Sequence, residues 1–472
     1  MSTIEILQRL DKETKAEVFV VGGFVRDYLR NKHNLDLDIV IRNSPLRNIK
    51  RFLHRYGTLK EICLSKTNDL FEINIILFKA FEDQIEAQIT LPRKSKKQIP
   101  DLSNTLRQDV RFRDFKINAL YLPINYTSKK DIIDLVGGKI DIIKKRLSSN
   151  GSPGERIKES PIRMLRAVSL AARTNYTIDN KLMEAIKINA PLINKCPMET
   201  IRTEFNKILM SNNPSKYLLI LKDTGLLEHI APEICACVDI KQDNKYHKYD
   251  VFHHLIYTVD YCDQDIVMRL AGLLHDVGKP ETKKEYKEDS GMRISFHTHE
   301  MAGAKIAKNF LRRLKYDTEI IDKVVTLVRS HMFHYTREWT DAAVRKFIRR
   351  MEINEIYLTE DNISNFPLFK LRAAERLGNG LKLIAVTDRQ KDFERKIIEV
   401  YQESNGLEIK DLNIDGNRIM EIFNLKPGIQ IGNILKFLLD KILEDPNMNN
   451  ELDLLKLVTE YLHFELNNKL TS

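Results

Sequence analysis

Strand-like segments are confined to the first 125 residues of this chain, and this distribution limits its fold more than any other feature. The predicted strands are Val18–Val21, Leu37–Ile41, Leu70–Phe78, Ile85–Leu91 and Ile117–Leu122. Beyond them, apolar residues recur with the period of an α-helix, as in Ser160–Arg173 and Glu199–Met210. We therefore predict an α+β head that is followed by an almost entirely helical remainder.

Composition and charge are typical of a globular protein with several domains. A chain of 472 residues exceeds one hydrophobic core, and its 43% hydrophobic and 30% charged residues are ordinary proportions. The net charge of +10 fits a polyanionic partner. Five cysteines without C-x-x-C spacing predict neither a disulfide framework nor a zinc ribbon. Because no apolar run approaches the roughly 20 residues that span a bilayer, we predict a cytoplasmic protein with no membrane partner.

A diglycine turn separates the first predicted strand from a short helix. Gly22 and Gly23 follow the apolar residues Phe19–Val21, and the helix opens with Arg26 and Asp27. Glycines in such a turn let backbone N–H groups approach an anion closely, especially at a helix N-terminus. The segment therefore predicts a site that holds the phosphates of a nucleotide.

Two aspartates follow on the second predicted strand. Asp36 and Asp38 are two residues apart, and side chains at this spacing point to the same face of a strand. Paired carboxylates offer the oxygen ligands that Mg²⁺ prefers. We predict that they hold Mg²⁺ beside the phosphates, where the ion assists transfer chemistry.

The order G-G-x-V-R-D at residues 22–27, followed by L-D-L-D-I-V at residues 35–40, resembles a known superfamily. It is the nucleotidyltransferase superfamily headed by DNA polymerase β, and specifically its tRNA nucleotidyltransferase and poly(A) polymerase branch. The resemblance implies a polymerase-β-like head, a small mixed sheet with helices. It also implies that Asp36 and Asp38 are catalytic and bridge two Mg²⁺ ions, while an RNA 3′-hydroxyl attacks the α-phosphate of a nucleotide.

A second stretch, at residues 109–119, resembles the family pattern R-R-D-F-T-x-N-A. Arg113, Asp114 and Asn118 match it, whereas Phe112 replaces the first arginine. The resemblance implies that Arg113 binds phosphate oxygens, that Asn118 contacts the sugar and that Asp114 orients Arg113.

A further family strand, read as I-D-x-A-L-P-R, resembles residues 85–93. The family's carboxylate aligns with Gln88 in this chain. Glu86, two residues earlier on the same face of the strand, is the alternative candidate for this acidic position. The basic loop Arg93–Lys97 lies where related enzymes have a mobile loop, although a solvated charged loop explains it equally well.

A third patch, at residues 159–167, resembles the family pattern E-D-P-L-R-x-L-R-A, in which an aspartate and an arginine bind the base edge of the nucleotide. Arg163 and Arg166 are in place, and Ser160 replaces the aspartate. Residues three apart share a helix face, so Ser160 and Arg163 are predicted to lie side by side. Ser160 before Pro161 also fits a helix N-cap.

Nine of the twelve histidines lie between His229 and His334. Within this region His254 and the adjacent pair His275–Asp276 resemble the HD superfamily of helical metal-dependent phosphohydrolases. The resemblance implies a divalent metal, such as Mn²⁺, Ni²⁺, Mg²⁺ or Fe²⁺, and Glu375 would replace the aspartate that is the last ligand of that family. The roles of His297, His299 and His331 stay open between lining the pocket and contacting phosphate.

These observations predict four domains and one principal activity. The domains are a nucleotidyltransferase head (1–125), a helical neck with a nucleotide-binding motif (126–212), an HD-type helical domain (213–338) and a helical tail that binds tRNA (339–472). The predicted function is addition of CCA to tRNA 3′ ends from CTP and ATP, without a nucleic-acid template. The alternatives are CC-only, A-only or poly(A) addition, or an HD phosphohydrolase with a head that has lost its activity.

Overall fold

The computed structural model describes residues 1–64, 73–91, 105–243, 247–288, 291–403 and 408–470. The chain divides into two compact units. The first consists of Met1–Cys235 with Arg313–Lys315, and the second of Ala236–Arg312 with Tyr316–Ser472. Mixed α+β structure in the first unit and helices in the second confirm the predicted fold class.

Seven strands of the described residues form one mixed sheet in the first unit. They are β1 (Glu17–Val21), β2 (Leu37–Arg42), β3 (Gly57–Leu64), β4 (Ile73–Ala80), β5 (Glu86–Thr90), β6 (Leu120–Pro123) and β7 (Ile133–Asp134), in the spatial order β3-β4-β5-β2-β1-β6-β7. Strands β2 and β5 are parallel, and the other neighbouring pairs are antiparallel. Two short strands, β8 (Arg146–Leu147) and β9 (Thr177–Ile178), pair separately.

The helices of the first unit pack on this sheet and continue beyond it. They are α1 (Thr3–Thr14), α2 (Gly23–Leu29), α3 (Leu46–Leu53), α4 (Leu106–Asp109), α5 (Gly138–Ile143), α6 (Pro153–Glu159), α7 (Arg163–Thr174), α8 (Asn180–Asn189), α9 (Met198–Leu209), α10 (Pro214–Asp223), α11 (Leu226–Ile230) and α12 (Pro232–Cys235). A capping box of Ser2 and Glu5 starts α1, and Pro214 occupies the first turn of α10, where it needs no N–H partner.

The two faces of the sheet differ because strand side chains alternate. One face carries the main core, where Ile6 and Leu10 of α1 and Phe52 of α3 pack against strand residues such as Ile39. The opposite face carries a smaller cluster that includes Phe19, Val21, Val40 and Tyr121. Asp38 shares this second face with Val40, since the two are two positions apart on β2.

The helices of the remaining chain form the second unit. They are α13 (Val251–Tyr261), α14 (Ile266–Leu274), α15 (Lys279–Thr282), α16 (His299–Arg313), α17 (Thr318–Ser330), α18 (Asp341–Arg350), α19 (Pro367–Gly378), α20 (Asp388–Glu403), α21 (Gly416–Phe423), α22 (Ile429–Glu444) and α23 (Glu451–Leu470). The last three enclose their own core, which includes Ile419, Leu438 and Leu454. Arg345 of α18 donates to the backbone oxygen of Leu443 at 2.9 Å and so joins α18 to the end of α22.

Sequence patterns missed some strands and shifted others. The hairpin of β10 (Lys284–Glu288) and β11 (Gly291–Ser295) lies where only helices were predicted, and β3 was not predicted at all. The strand predicted at Leu70–Phe78 starts at Ile73 in the described part of the chain and continues to Ala80. Short polar strands such as β10 lack the apolar alternation on which the prediction relied.

Candidate functional site

A cavity of about 400 Å³ opens on the Asp38 face of the sheet, and we call it the head cavity. Of the residues predicted for the nucleotide site, it is lined by Gly22, Gly23, Asp38, Arg113, Asp114, Asn118, Ser160, Arg163 and Arg166. Residues from all three sequence patches therefore meet in one place. Phe112, Thr90 and Ile75 complete the lining.

The diglycine turn is pressed against one of the two aspartates. Gly22 caps α2 with a φ of 70°, a conformation that side chains other than glycine rarely adopt. A Cβ atom added to Gly22 would lie 2.7 Å from Oδ2 of Asp38. Glycine is thus required at this position for both backbone conformation and space.

Asp38 lies on β2 between two strand neighbours, Val21 of β1 and Gln88 of β5. Burial raises the pKa of Asp38; the charge of Arg113 opposes this, and the charges of Asp36 and Asp114 add to it. A partly desolvated carboxylate beside other carboxylates is an environment that a bound cation stabilises. This arrangement fits a divalent metal.

Asp36 occupies a different environment from Asp38. The strand begins at Leu37, so Asp36 lies just ahead of it and is exposed. Its backbone N–H donates to Oδ1 of Asn34 at 2.8 Å. Asp36 is close enough to Asp38 to affect its pKa but does not line the head cavity. Joint binding of a metal by the two side chains stays a prediction.

Arg26 and Asp27 are not among the residues that line the head cavity, and their predicted contact with the nucleotide stays a prediction. Both are buried, and Arg26 donates to both carboxylate oxygens of Asp27 at 2.9 and 2.6 Å. Arg26 also donates to Oδ1 of Asn118 at 2.9 Å, so it fixes a residue that does line the cavity. Burial would raise the pKa of Asp27, but hydrogen bonds from Arg26 and Asn34 and the charge of Arg30 lower it.

Arg113 is held by Asp109 and Tyr121, and not by Asp114 as predicted. Its guanidinium donates to Oδ2 of Asp109 at 3.1 Å and to the Tyr121 hydroxyl at 3.0 Å, and it lies 4.9 Å from the centre of the Tyr121 ring. The Tyr121 hydroxyl donates to the same Asp109 oxygen at 2.6 Å. Burial would lower the pKa of Arg113, but Asp109 and Tyr121 raise it above its usual value.

Asp114 instead pairs with an arginine of the third patch, residues 159–167. Arg166 of α7 donates to Oδ2 of Asp114 at 3.3 Å and lies 3.8 Å from Oε1 of Glu204 on α9. Burial would raise the pKa of Asp114, but Arg166, the Phe115 N–H and Arg163 lower it. Asp114 is therefore an anion that ties two patches together.

Ser160 is not on the helix of Arg163, which corrects the predicted shared face. It caps the end of α6 in an extended conformation with φ −153° and ψ 94°, and α7 starts only at Arg163. Pro161 explains this break, because a proline disfavours helical backbone geometry in the residue before it. Both side chains nevertheless line the head cavity.

Arg163 is fixed from three sides by groups of its own unit. It donates to the backbone oxygen of Arg156 at 2.8 Å, to Glu159 at 3.2 Å and to the backbone oxygen of Phe112 at 3.4 Å. Burial lowers the pKa of Arg163, and the charge of Arg156 lowers it further. The contact with Phe112 shows how the position without the family arginine still contributes through its backbone.

The two candidates for a third acidic position lie on β5. Gln88 is the strand neighbour of Asp38, and Glu86 is exposed on the same face. The uncharged Gln88 thus occupies the place beside Asp38. The basic loop Arg93–Lys97 lies outside the described residues.

A second candidate site is a cluster of four histidines around Asp276 in the second unit, and we call it the histidine cluster. Two groups of side chains have ligand atoms within 4.8 Å of one another, namely His254, His275 and Asp276, and Asp276, His299 and His331. All five residues are buried. Gly278 permits this, because a Cβ there would lie 2.2 Å from the backbone oxygen of His299.

Backbone hydrogen bonds orient three of these imidazoles toward one another. The Nδ1 atoms of His275, His299 and His331 lie 2.8, 2.7 and 2.7 Å from the backbone oxygens three residues earlier in each case. Nδ1 must be the donor there, so Nε2 of a neutral ring presents a lone pair. Nε2 of His275 lies 3.1 Å from Nε2 of His254, and Nε2 of His299 lies 3.3 Å from that of His331. Facing nitrogen lone pairs are stabilised when a cation lies between them, and this arrangement fits divalent metals.

Glu375 is not in either of these two ligand groups, and its place as the last metal ligand stays a prediction. Arg372 donates to it at 2.9 Å and draws its carboxylate into an ion pair. Burial would raise the pKa of Glu375, but the charges of Arg372, His275 and His331 lower it to about 2. Nζ of Lys279 lies 2.6 Å from Oδ2 of Asp276 and 2.6 Å from Oε1 of Gln242, so its positive charge balances the charge of the aspartate.

The two sites match two separate family models. Residues 18–148 match the family described as "Poly A polymerase head domain", residues 175–237 match "Probable RNA and SrmB- binding site of polymerase A", and residues 251–389 match "HD domain". The chain belongs to the family of poly(A) polymerases and tRNA nucleotidyltransferases. The family assignment made from the sequence is thus confirmed, and the protein is a nucleotidyltransferase.

Relatives extend over almost the whole chain. The A-adding tRNA nucleotidyltransferase of Deinococcus radiodurans is 25% identical over 434 residues, 89% of this chain and 90% of the relative. The CCA-adding enzyme of Lactococcus lactis is 26% identical over 445 residues, 92% of this chain and 91% of the relative. The structure of the Bacillus stearothermophilus CCA-adding enzyme in complex with CTP shares the fold with a TM-score of 0.64, at 17% identity over 98% of both chains.

Sequence reasoning missed several functional candidates of this family member. The sequence analysis gives no role to Asp109, although its position four residues before Arg113 is a signal for an ion pair. It does not choose between two roles for His299 and His331, and only the folded chain brings them to Asp276 at 3.0 and 3.5 Å. Among the described residues, the helices include none that has the length and hydrophobicity to cross a membrane.

Proposed function

We propose that this protein adds CCA to the 3′ ends of tRNA, using CTP and ATP and releasing pyrophosphate. The observation that carries the proposal is the head cavity, in which Asp38, Arg113 and Arg163 from three separate patches line one space. Its volume of about 400 Å³ suits a single nucleotide. The CCA-adding enzyme of Lactococcus lactis, which aligns over 92% of the chain, supports the same reaction, whereas the A-adding relative of Deinococcus radiodurans corresponds to the A-only alternative.

Asp36 and Asp38 would hold the divalent ions of the head, which we propose are two Mg²⁺ ions. When bound, these ions lower the pKa of the attacking hydroxyl and stabilise the leaving phosphates. The chain itself supplies positioning: Gly22 and Gly23 allow close approach of the phosphates. Arg113, fixed by Asp109 and Tyr121, offers donors for phosphate oxygens without having to reorient.

Ser160 and Arg163 are our candidates for contact with the base edge. Arg163 is anchored by backbone oxygens, which keeps its direction fixed. Ser160 offers a small hydroxyl that donates or accepts a hydrogen bond. Arg166, held by Asp114, and Asn118, held by Arg26, complete the proposed nucleotide contacts.

The extent of the added sequence distinguishes this proposal from CC-only, A-only or poly(A) addition. Purified protein is incubated with Mg²⁺ and all four nucleoside triphosphates, in one reaction with tRNA lacking CCA and in a second with tRNA ending in CC, and the product 3′ ends are sequenced. Full CCA ends are expected. Products that stop at CC assign CC-only addition, extension only of tRNA that already ends in CC assigns A-only addition, and long A tails assign poly(A) polymerase activity. Any of these outcomes contradicts CCA addition.

The histidine cluster favours a second activity, a metal-dependent phosphohydrolase. The specific observation is that Asp276 lies between two histidine pairs whose Nε2 atoms face one another. Each pair with Asp276 would hold one divalent ion, of which Mn²⁺, Ni²⁺ and Mg²⁺ are the candidates. Hydrolysis of 2′,3′-cyclic nucleotides is measured with the wild type and with His275→Ala. Loss of hydrolysis in the variant supports the activity, and unchanged hydrolysis contradicts it.

We also propose the domain division 1–125, 126–212, 213–338 and 339–472, with tRNA bound by the neck and tail, and a cytoplasmic location. The net charge of +10 supports phosphate contacts, which depend on salt. Limited proteolysis tests the division: cleavage near 125, 212 and 338 is expected, and cleavage only within the proposed domains contradicts it.

A further inference from the structure

The second unit contains another cavity, of about 380 Å³, whose lining includes none of the five residues of the histidine cluster. We call it the arginine pocket and define it by Phe333, Tyr335, Arg372, Arg376, Arg389 and Phe393. These residues come from the segment after α17, from α19 and from α20. His334, Thr387 and Gln390 also line it.

Positive charge dominates this pocket. Arg372 is neutralised by Glu375 at 2.9 Å, whereas Arg376 donates its Nε to the uncharged backbone oxygen of Ile384 at 3.1 Å. Arg389 is exposed on the first turn of α20. Within the described part of the chain the lining includes no carboxylate, so two guanidinium groups face the cavity without being neutralised by the lining. Guanidinium groups in such a setting bind phosphate oxygens, often through two hydrogen bonds.

Aromatic rings form the other wall of the arginine pocket. Tyr335 stacks on Phe393 with ring centres 4.4 Å apart and an angle of 20° between the planes, and Phe333 lies 5.8 Å from Phe393. Tyr335 and Phe393 are buried, so the partly buried Phe333 offers the ring surface that a ligand can reach. An apolar and aromatic wall beside arginines suits a ligand that has both a flat ring and a phosphate.

We propose that the arginine pocket binds one nucleoside monophosphate unit, with the base on the aromatic wall and the phosphate on Arg376 and Arg389. Its volume, about 380 Å³, nearly equals the 400 Å³ of the head cavity and accommodates one nucleotide. The unit is either a free nucleotide or the end of an RNA strand, because both present the same chemistry. The proposal depends on neither activity proposed above.

The single tryptophan of the chain makes this proposal directly testable. Trp339 lies 5.9 Å from Tyr335 and 5.4 Å from Phe393, two rings of the pocket wall. Its fluorescence therefore reports on the arginine pocket. The full-length protein is titrated in EDTA with AMP, CMP, GMP and UMP, and separately with adenosine, ribose 5-phosphate and a short oligoribonucleotide.

A saturable change of Trp339 emission is expected with the monophosphates, and adenosine and ribose 5-phosphate should bind at least about tenfold more weakly, because each lacks one of the two recognised groups. Arg389→Gln should weaken AMP binding about tenfold through the loss of one charge-assisted contact. Arg395→Gln, which changes an exposed arginine of the same helix that is paired with Asp392, is the matched control and should bind like the wild type. Asp38→Ala should leave the response unchanged, since that residue belongs to the head cavity.

The remaining outcomes decide whether the proposal holds and whether the ligand is an RNA end or a free nucleotide. Tighter binding of the oligoribonucleotide than of AMP assigns the pocket to an RNA end, and equal binding assigns it to free nucleotides; both support the proposal. It is overturned if no saturable change occurs, if Arg389→Gln binds AMP like the wild type, or if the response disappears in Asp38→Ala.

Discussion

The head cavity and the histidine cluster arrange their charged and metal-binding side chains in opposite ways. In the head cavity the charged groups are already paired, as in Arg113 with Asp109 and Asp114 with Arg166, and the space between them is open to a nucleotide. In the histidine cluster the imidazoles face one another in a closed interior. The head cavity is therefore organised for a large anionic substrate, which completes the binding of the metal. The cluster is organised to bind cations on its own.

The largest expected effect comes from removing the charge of the aspartate in the head cavity. Asp38→Asn should reduce incorporation of labelled CMP into tRNA lacking CCA by at least about 1,000-fold, since metal-ion stabilisation contributes several kcal/mol. The metal that the histidine cluster retains after dialysis should stay the same, because that cluster is intact. Asp223→Asn, at an exposed position on α10, is the control for a lost surface charge. Wild-type incorporation by Asp38→Asn would remove Asp38 from the active site.

The reverse pattern is expected for the aspartate of the histidine cluster. Asp276→Asn should weaken metal binding at least about 100-fold, because the residue shared by both ligand groups loses its charge and an amide NH₂ group replaces one carboxylate oxygen. The measurement is elemental analysis of dialysed protein. CMP incorporation should stay within about twofold of the wild type, which also reports that the head is folded. Equal metal content in Asp276→Asn and wild type would show that the cluster does not bind metal through this residue.

A smaller effect tests how Arg113 is held. Tyr121→Phe keeps the ring beneath Arg113 but removes the hydroxyl that bonds both Arg113 and Asp109. We expect kcat/KM for CTP to fall about fivefold to tenfold, mainly through KM, because one buried hydrogen bond is lost. Tyr126→Phe, which alters a tyrosine packed on Tyr28 in the same unit, should show no change. A normal KM for Tyr121→Phe would mean that Asp109 alone positions Arg113.

The smallest expected effect concerns the residue that replaces the family aspartate. Ser160→Ala should change kcat/KM for CTP and for ATP by no more than about threefold, since one partly exposed hydroxyl is lost. Ser160→Asp, which restores the family residue, should shift the ratio of the two kcat/KM values more than Ser160→Ala does. The ratio is measured with each nucleotide in separate reactions. Identical ratios in all three proteins would exclude Ser160 from base selection.

The same comparison explains what the sequence could and could not predict. The residues of the head cavity come from contiguous motifs, so their order along the chain sufficed to predict the family and most of the lining. The roles inside the motifs were less predictable, because Arg113 has acidic residues on both sides in sequence. Only the turn formed by α4 and the residues after it brings Asp109, rather than Asp114, to the guanidinium.

The histidine cluster was harder to predict for a different physical reason. His254, His275, His299 and His331 are spread over 78 positions and lie on or beside four helices, so only tertiary packing brings them together. Adjacent His275 and Asp276 gave a local signal for a metal site, whereas His299 and His331 were predicted only to line the pocket or to contact phosphate. Glu375 lies at the position expected from the sequence, and Arg372, three residues earlier on α19, forms an ion pair with it that the sequence analysis did not predict.

The imidazole rings of His275, His299 and His331 are each anchored to a main-chain oxygen three residues upstream. Every amino acid supplies that oxygen, so the anchor does not depend on which side chains surround it. Substitutions at Gly272, Phe296 or Val328 can alter local packing, yet they leave the anchoring atom in place. The orientation of the rings is therefore encoded by backbone geometry, at the ends of α14 and α17 and in the turn before α16, and it can survive extensive divergence of the neighbouring sequence as long as these segments keep their shape.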